Sequence, residues 1–283
     1  MSSGAVQEAV DLAATADPDV SWRVSVLDVD SGDLLAHRDP DTVQRTASLG
    51  KLLLLVEVAR RIEDGTLDPA QALTPTEDDS VRDSGLWWHL SAPSLPLADC
   101  AALVGAFSDN LATNVLLRRV GGVEPVRATA QRAGLDGVRL HRKVGDTTPP
   151  ASTGSRYGLS SGSAQAYADL MARLHRHEVS SPAVCERVLG WLGLNADLSM
   201  VGGALGLDPL CHGEPDRGLQ LRNKTGTISD ALGDVGVVSG PAGIVAYAVL
   251  TERDDAHHPA GRDSALAGMA VIGTALRAVV EGR

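Results

Sequence analysis

Segments with strand character lie at both ends of this chain and enclose a long helical middle. Apolar and polar residues alternate over residues 21–28, an Asp-Ser-Gly-Asp turn occupies residues 30–33, and a second strand-like segment covers residues 34–37, which predicts a hairpin. Strand character returns in residues 219–228, 234–239 and 244–251. The economical arrangement is an α+β fold in which the two terminal groups of strands share one antiparallel sheet.

Helical periodicity dominates residues 50–200, where Pro and Gly separate the segments. One helix is predicted to begin at Ser48 and to run to about Asp64, with Gly65 as its C-cap. Further helices are predicted at residues 97–107, 110–120, 125–133 and 163–175, and amphipathic helices at residues 3–15 and 262–280 would cover the sheet. Residues 143–162 are rich in Gly, Ser, Thr and Pro and predict a long surface loop.

These segments predict two closely packed units within the 283 residues. Residues 1–46 and 205–283 would form a discontinuous α/β sheet domain. Residues 47–204 would form an inserted all-α domain, and an active site is expected in the cleft between the two.

The charge balance narrows the classes of partner. A formal net charge of −11 lacks the basic footprint that nucleic acid requires, and it disfavours anionic membrane surfaces. The apolar run at residues 52–56 ends at Glu57, so we expect no transmembrane helix. We therefore expect a monomer that binds a small molecule, with no nucleic acid and no membrane as partner.

The N-terminal residues do not resemble a secretory signal. They have no basic segment, and Glu8 and Asp11 stand where an apolar segment would be required. The expectation is a cytoplasmic protein, or an exported one if an N-terminal segment has been removed. Three scattered cysteines, Cys100, Cys185 and Cys211, are interpreted as reduced, buried thiols.

Lysine is rare in this chain, and two of its three lysines stand in short polar motifs. Only three lysines accompany 22 arginines. One motif is Ser48-Leu49-Gly50-Lys51, another is Lys224-Thr225-Gly226, and Ser108-Asp109-Asn110 lies between them. The pKa of a lysine can be lowered by burial or by a second cation, whereas arginine stays charged. Lys51 is therefore a candidate base beside Ser48. If this motif stood alone, the alternative would be that Ser48 caps the helix and Lys51 is an ordinary surface lysine.

In their order and spacing these motifs resemble those of the penicillin-recognising serine hydrolases, specifically the class A β-lactamase group. Residues 48–67, 107–120 and 221–238 also look like the corresponding family segments. The resemblance implies a β-lactamase/transpeptidase-like α+β fold, with an antiparallel sheet flanked by the terminal helices and an added all-α domain. It implies no cofactor.

The resemblance assigns roles to residues at matching positions. Ser48, Lys51, Ser108 and Lys224 are the expected catalytic residues: Ser48 attacks, Ser108 relays a proton to the leaving nitrogen, and Lys224 supports Ser108 and a substrate carboxylate. The expected substrate-binding residues are Asn110, Thr225, Gly226 and Thr227. Gly226 permits close approach, and the backbone N–H groups of Ser48 and Thr227 form an oxyanion hole. In an alternative interpretation, Ser108-Asp109-Asn110 caps the following helix, and Asp109 is structural in either case.

Two positions depart from the family pattern. The family carries a Glu after the Ser-Asp-Asn motif that activates the deacylating water, but residues 125–177 contain no Glu. Asp146 is a weak candidate for that base. The family often places an Arg where Asp234 stands here, and Arg222 either substitutes for it or is a solvated charge.

Three functions are therefore predicted. The first is β-lactam hydrolysis through a covalent Ser48 intermediate. The second is a D,D-peptidase-like amidase or an esterase acting on a small substrate, and the third is a β-lactam-binding protein that acylates without turnover. No metal is expected, because His175, His177, His257 and His258 are interpreted as surface histidines.

Overall fold

A computed structural model describes residues 3–146, 157–210 and 212–283. The α-helices in these residues are α1 (Ser3–Ala16), α2 (Lys51–Glu63), α3 (Leu97–Phe107), α4 (Asn110–Val120), α5 (Val123–Arg132), α6 (Ala164–His175), α7 (Pro182–Leu192) and α8 (Gly261–Glu281). The strands are β1 (Val20–Asp28), β2 (Leu34–Arg38), β3 (Gln44–Arg45), β4 (Ala72–Leu73), β5 (Leu95–Pro96), β6 (Val138–Leu140), β7 (Ser160–Gly162), β8 (Gln220–Ile228), β9 (Ala231–Gly240) and β10 (Gly243–Arg253).

The main sheet has five antiparallel strands in the order β2-β1-β10-β9-β8. β1 pairs with β10 from Val20 opposite Arg253 to Asp28 opposite Val245, which joins the two ends of the chain. Strand β8, which carries the Lys-Thr-Gly motif, lies at one edge of the sheet. The α+β fold class predicted from the sequence is confirmed.

Apolar side chains cover the sheet on both faces. On one face, α1 and α8 pack through residues such as Val10, Met269 and Ile272, all at most 1% exposed. On the other face, α6 contacts β1, β9 and β10 and connects the sheet to the helical layer. Strands of the sheet come from both terminal segments, while the exact limits of the two domains stay a prediction.

Helix α2 is the centre of the helical layer. It packs against α3, α4, α5 and α7, and its Leu52–Val56 run is buried on every side. A helix that is apolar all round needs such surroundings, because no face can be left to water. The buried helix fixes the position of the Ser48 motif at its N-terminal end.

Two sequence-based predictions are corrected in detail. Ser48 lies in a 3₁₀ turn, Ala47–Gly50, and the α-helix begins only at Lys51. The predicted surface loop at 143–162 is wrong at its end, because β7 is a buried strand that pairs with β3 and β6. The small Ser and Gly residues of β7 allow this burial. Residues 147–156 of the predicted loop lie outside the described residues. Helix α7 was not singled out from the sequence.

Helix α8 is long and apolar enough to cross a membrane by length and composition, contrary to the expectation that no segment would qualify. Its inner side, with Ala265, Met269, Ile272 and Leu276, is buried in the sheet domain. That packing is typical of the core helix of a globular domain. Cys100 and Cys185 are buried and unpaired as expected, and Cys211 lies outside the described residues.

Candidate active site

A cavity of about 840 Å³ opens between the α3–α4 junction and the edge strand β8. Five of the eight predicted site residues line it, namely Ser48, Ser108, Asn110, Thr225 and Thr227. Lys51 and Lys224 are 0% exposed, and both contact residues of the cavity wall. The structure therefore brings the three motifs together, although they are far apart in sequence.

The backbone that presents Ser48 is held from below. Ala47 adopts a left-handed φ of +47°, a conformation that costs a residue with a side chain roughly 1–2 kcal/mol. Ser160 Oγ donates to the Ala47 carbonyl at 2.7 Å, which leaves its oxygen to accept from Thr46 Oγ1 at 2.7 Å. Tyr167 in turn donates to Thr46 at 2.9 Å. This buried chain of hydroxyls holds the strained peptide in place.

Lys51 Nζ lies within hydrogen-bond distance of three oxygens across the cleft. It is 2.5 Å from the Ser108 carbonyl, 2.6 Å from Asn110 Oδ1 and 3.2 Å from Ser108 Oγ. Complete burial, together with the charge of Lys224, lowers the pKa of Lys51 well below its usual value. A neutral amine has two N–H groups, which suit the carbonyl and the amide oxygen, so its lone pair remains for a hydroxyl.

Within the Ser-Asp-Asn motif, the middle residue stabilises the helix and the two outer residues face the cleft. Asp109 is buried and caps α4, accepting from the Ala112 N–H at 2.8 Å and from the N–H groups of Leu86 and Trp87 at 2.7 Å. Ser108 has a left-handed φ of +54° and ends α3. The capping interpretation therefore holds for Asp109, while Ser108 and Asn110 face the cleft.

Asn110 also binds a carboxylate on its far side. Its Nδ2 donates to Asp83 Oδ1 at 2.5 Å, which fixes the amide with its oxygen toward Lys51. Asp83 lines the cleft, and its charge acts against the lowering of the Lys51 pKa. Asp83 was not found from the sequence, because it lies in a loop with no recognisable motif.

Lys224 lies beneath the edge strand rather than in the cleft. Its Nζ donates to the Thr225 carbonyl at 2.7 Å. Burial lowers the pKa of Lys224 to about 8. Its neighbours Thr225 and Thr227 face the cavity, as the two-residue period of a strand predicts.

Gly226 brings the edge strand against the Ser48 turn. A Cβ atom at this position would lie 2.8 Å from the Thr46 carbonyl and 3.1 Å from the Ser48 nitrogen. A side chain would therefore push the two segments apart. The close approach predicted for Gly226 is present in the structure.

A buried polar network supports β8 from the side of the sheet. Asn195 donates to Asn223, and Asn223 donates to Asp234, each at 2.9 Å; Tyr247 donates to Asp234 at 3.0 Å. Burial raises the pKa of Asp234 to about 6 in spite of these donors. Asp234 therefore faces the protein interior, and no motif in the sequence indicates this network.

Other charges place limits on anion binding in the cleft. Arg222 lies against Gly193 and does not line the cavity. Among the described residues, Arg45 is the cation on the cavity wall, and it pairs with Asp230 at 2.7 Å and with Glu252 at 3.3 Å. The cavity is also lined by two carboxylates, Asp83 and Asp197.

The loop after α5 presents an apolar residue to the cleft. Val144 lines the cavity, whereas Asp146, the weak candidate from the sequence, is not among the lining residues described. Asn114 binds the Val144 backbone at both its N–H and its carbonyl.

Outside the cleft, Asp17, Asp19 and His258 lie together, with possible ligand atoms within 4.8 Å of one another. His258 already pairs with Asp17 at 2.7 Å. His257 pairs in the same way with Asp254, and His177 with Glu186. The absence of a bound metal stays a prediction.

A five-stranded antiparallel sheet covered by helices, with the three motifs meeting at its edge, defines the class of penicillin-recognising serine hydrolases. A family model described as the β-lactamase enzyme family matches residues 5–280, and the chain therefore belongs to that family.

Several solved structures share this fold. PBP-A is 20% identical, with 97% of this chain and 95% of that chain covered and a TM-score of 0.79. A β-lactamase from Sphaerobacter thermophilus is 23% identical, with coverage of 98% and 96% and a TM-score of 0.80. A class A β-lactamase from Mycobacterium abscessus is 18% identical, with coverage of 96% and 98% and a TM-score of 0.78. No curated protein matches the chain.

Proposed function

We propose that this protein is a serine hydrolase that opens a β-lactam or a related amide through an acyl-enzyme on Ser48. The observation that carries the proposal is the buried Lys51, whose pKa is lowered well below its usual value and whose Nζ contacts both Ser108 and Asn110. A neutral lysine three residues after a serine, in the 3₁₀ turn that leads into α2, is suited to accept the serine proton.

In the first half-reaction, Lys51 takes the proton of Ser48, and Ser48 Oγ forms a bond to the substrate carbonyl carbon. The N–H groups of Ser48 and Thr227 stabilise the resulting oxyanion, and removing such donors typically costs about 10²–10³ in rate. When the C–N bond breaks, the leaving nitrogen takes a proton from Ser108, and Ser108 takes one from Lys51 across the 3.2 Å contact. Lys51 and Ser108 are then restored.

In the described part of the loop after α5, residues 133–146, no carboxylate lines the cleft to serve as the base of the second half-reaction. Val144 lines the cleft in the loop where the family carries its Glu, and a valine cannot activate water. We therefore propose that the acyl-enzyme accumulates and that its hydrolysis limits turnover. A variant of PBP-A, a similar structure, is an acyl-enzyme complex with penicillin G; this is consistent with stoichiometric acylation as the third function.

The charges of the cleft favour the second candidate function, an amidase or esterase acting on a substrate without a carboxylate. Asp83 and Asp197 would repel a carboxylate, and Arg45 is already engaged by Asp230 and Glu252. Burial keeps Lys224 from direct contact with a ligand. A neutral ester or amide avoids these costs.

Incubation with a chromogenic β-lactam, followed by intact-mass spectrometry, separates the three functions. A burst of one product per protein and a stable mass increase support the acylating protein. Fast linear turnover supports a β-lactamase and shows that a base exists that is not Val144. No reaction with the β-lactam, but turnover of p-nitrophenyl esters or neutral anilides that Ser48→Ala abolishes, supports the amidase or esterase. If neither type of compound labels or turns over at Ser48, the proposal is wrong.

A further inference from the structure

A second cavity adjoins the cleft on the Ser108 side. Its volume is about 440 Å³, and it shares Ala106, Phe107 and Ala196 with the walls of the larger cavity. Phe107 directly precedes Ser108 in the chain. A molecule bound in the cleft therefore lies beside this side pocket.

Apolar side chains line the side pocket and remain exposed there. Among the described residues, nine large apolar side chains are exposed, and four of them line this one pocket: Leu90, Phe107, Leu194 and Leu210. Leu210, at 85%, is the most exposed of these. Exposed apolar residues that cluster in a concavity mark a binding site for an apolar group.

One residue that lines the pocket has a polar side-chain atom without a partner. His212 lines it and is only 2% exposed, and its Nε2 makes no hydrogen bond within the part of the chain that the structure describes. His212 Nδ1 lies 3.0 Å from the Asp208 carbonyl. Because a carbonyl only accepts, Nδ1 must carry the hydrogen, and Nε2 of the neutral ring presents a lone pair.

An unpaired buried acceptor is costly unless a ligand supplies a donor. From the shared wall, the apolar lining and this acceptor, we propose that the side pocket holds part of the substrate. That part is an apolar group, such as an aryl or a short alkyl-aryl group, with one O–H or N–H donor that binds His212 Nε2. The inference rests on the proposed function, because it extends the substrate of the Ser48 site.

Binding to the pocket can be measured without catalysis. Titration calorimetry of the full chain with 4-propylphenol, its methyl ether 4-propylanisole and propylbenzene compares three probes of similar shape, only one of which has a donor. We expect 4-propylphenol to bind about tenfold more tightly than the ether, the effect of one net hydrogen bond to a buried acceptor. Equal affinities, or no binding of the phenol, would overturn the proposal.

Variants of the pocket locate the binding. His212→Phe should remove the preference for the phenol over the ether, and Ala102→Phe on α3 should fill the pocket and abolish binding of all three probes. Leu12→Asp, at an exposed leucine of α1 away from the pocket, is the matched control. It should change neither the affinities of the three probes nor the preference for the phenol. Should His212→Phe not fold, Leu210→Asp at the exposed rim replaces it and should weaken the phenol severalfold. A phenol preference that survives in a folded His212→Phe protein, or an unchanged phenol affinity in Leu210→Asp, overturns the assignment.

Coupling to Ser48 is tested with two fluorophosphonates that carry a 4-hydroxyphenylbutyl or a 4-methoxyphenylbutyl arm. We expect the hydroxyl probe to label Ser48 about tenfold faster, and the ratio to fall toward one in His212→Phe. If both probes fail to label Ser48 while 4-propylphenol still binds, the proposed function is refuted, but the side pocket remains a binding site. If both probes label Ser48 of the native chain at equal rates, the side pocket does not hold part of the substrate, but the proposed hydrolase function stands.

Discussion

Asn114 holds Val144 against the active-site cleft by both hydrogen-bonding groups of its backbone. Asn114 Oδ1 accepts from the Val144 N–H at 2.9 Å, and Nδ2 donates to the Val144 carbonyl at 3.0 Å. Asn114 lies one turn after Asn110 on α4, so the same helix positions a predicted substrate ligand and the loop residue. The position is fixed by the backbone, which means that its side chain can be exchanged.

Replacing Val144 by Glu should therefore place a carboxylate in the cleft without moving the loop. General-base assistance is typically worth about 10²–10⁴ in rate, so the steady-state turnover of a chromogenic β-lactam should rise and the burst should disappear. Rapid-quench kinetics measure both. Val144→Gln has the same shape without the base and should retain the burst; an equal gain in Val144→Gln would show that general-base catalysis is not the cause.

Lys51→Arg should reduce labelling of Ser48 by a fluorophosphonate by several orders of magnitude. Arginine stays charged and cannot accept the serine proton. Peptide mapping locates the label, and circular dichroism with thermal unfolding establishes that the variant is folded. Near-normal labelling in a folded Lys51→Arg protein would assign Lys51 an electrostatic role only. Lys143→Arg, at an exposed lysine, is the control and should behave as the native chain.

The rate of Ser48 labelling should fall as the pH rises above about 8. Lys224, whose pKa is about 8, is charged below that pH and neutral above it. Burial lowers the pKa of Lys51 and favours its neutral form, so we attribute the slope to the loss of the Lys224 charge. A pH profile of the labelling rate measures it. In Lys224→Arg the decline should vanish, because arginine keeps its charge; a decline that persists there would belong to another group.

The sequence predicted the elements that carry a period or a motif. The bounds of α3 and α4 agree with the prediction because apolar residues recur at helical spacing along both segments. The sequence could not show that Val144, rather than Asp146, lines the cleft, because an irregular loop has no periodicity that indicates which residue faces inward. Asn195 and Asn223 were missed for a similar reason: their partners come from other elements and exist only after folding.

Asp234 should make the protein less stable as the pH rises from about 4 to 6. Burial raises the pKa of Asp234 from an ordinary 3.8 to about 6, so the folded state binds this proton more tightly than the unfolded chain does. The folded state then loses relative stability, by about 3 kcal/mol, as the proton leaves. Urea unfolding from pH 4 to 7 measures the slope. Asp234→Asn should lack it; an identical slope in that variant would assign the pH dependence to other carboxyl groups.

Gly226→Ala should separate the edge strand from the Ser48 turn. The added Cβ would lie 2.8 Å from the Thr46 carbonyl, a backbone atom that cannot turn aside. We expect a loss of about 1–3 kcal/mol in the free energy of unfolding, together with slower labelling of Ser48, because the proposed oxyanion hole of the Ser48 and Thr227 N–H groups would be disturbed. Gly190→Ala is the matched control: a Cβ at this exposed position of α7 meets no atom within 4 Å. It should stabilise the protein by roughly 0.5–1 kcal/mol through helix propensity and leave labelling unchanged. Equal labelling rates in the two variants would show that the close approach at Gly226 does not serve the site.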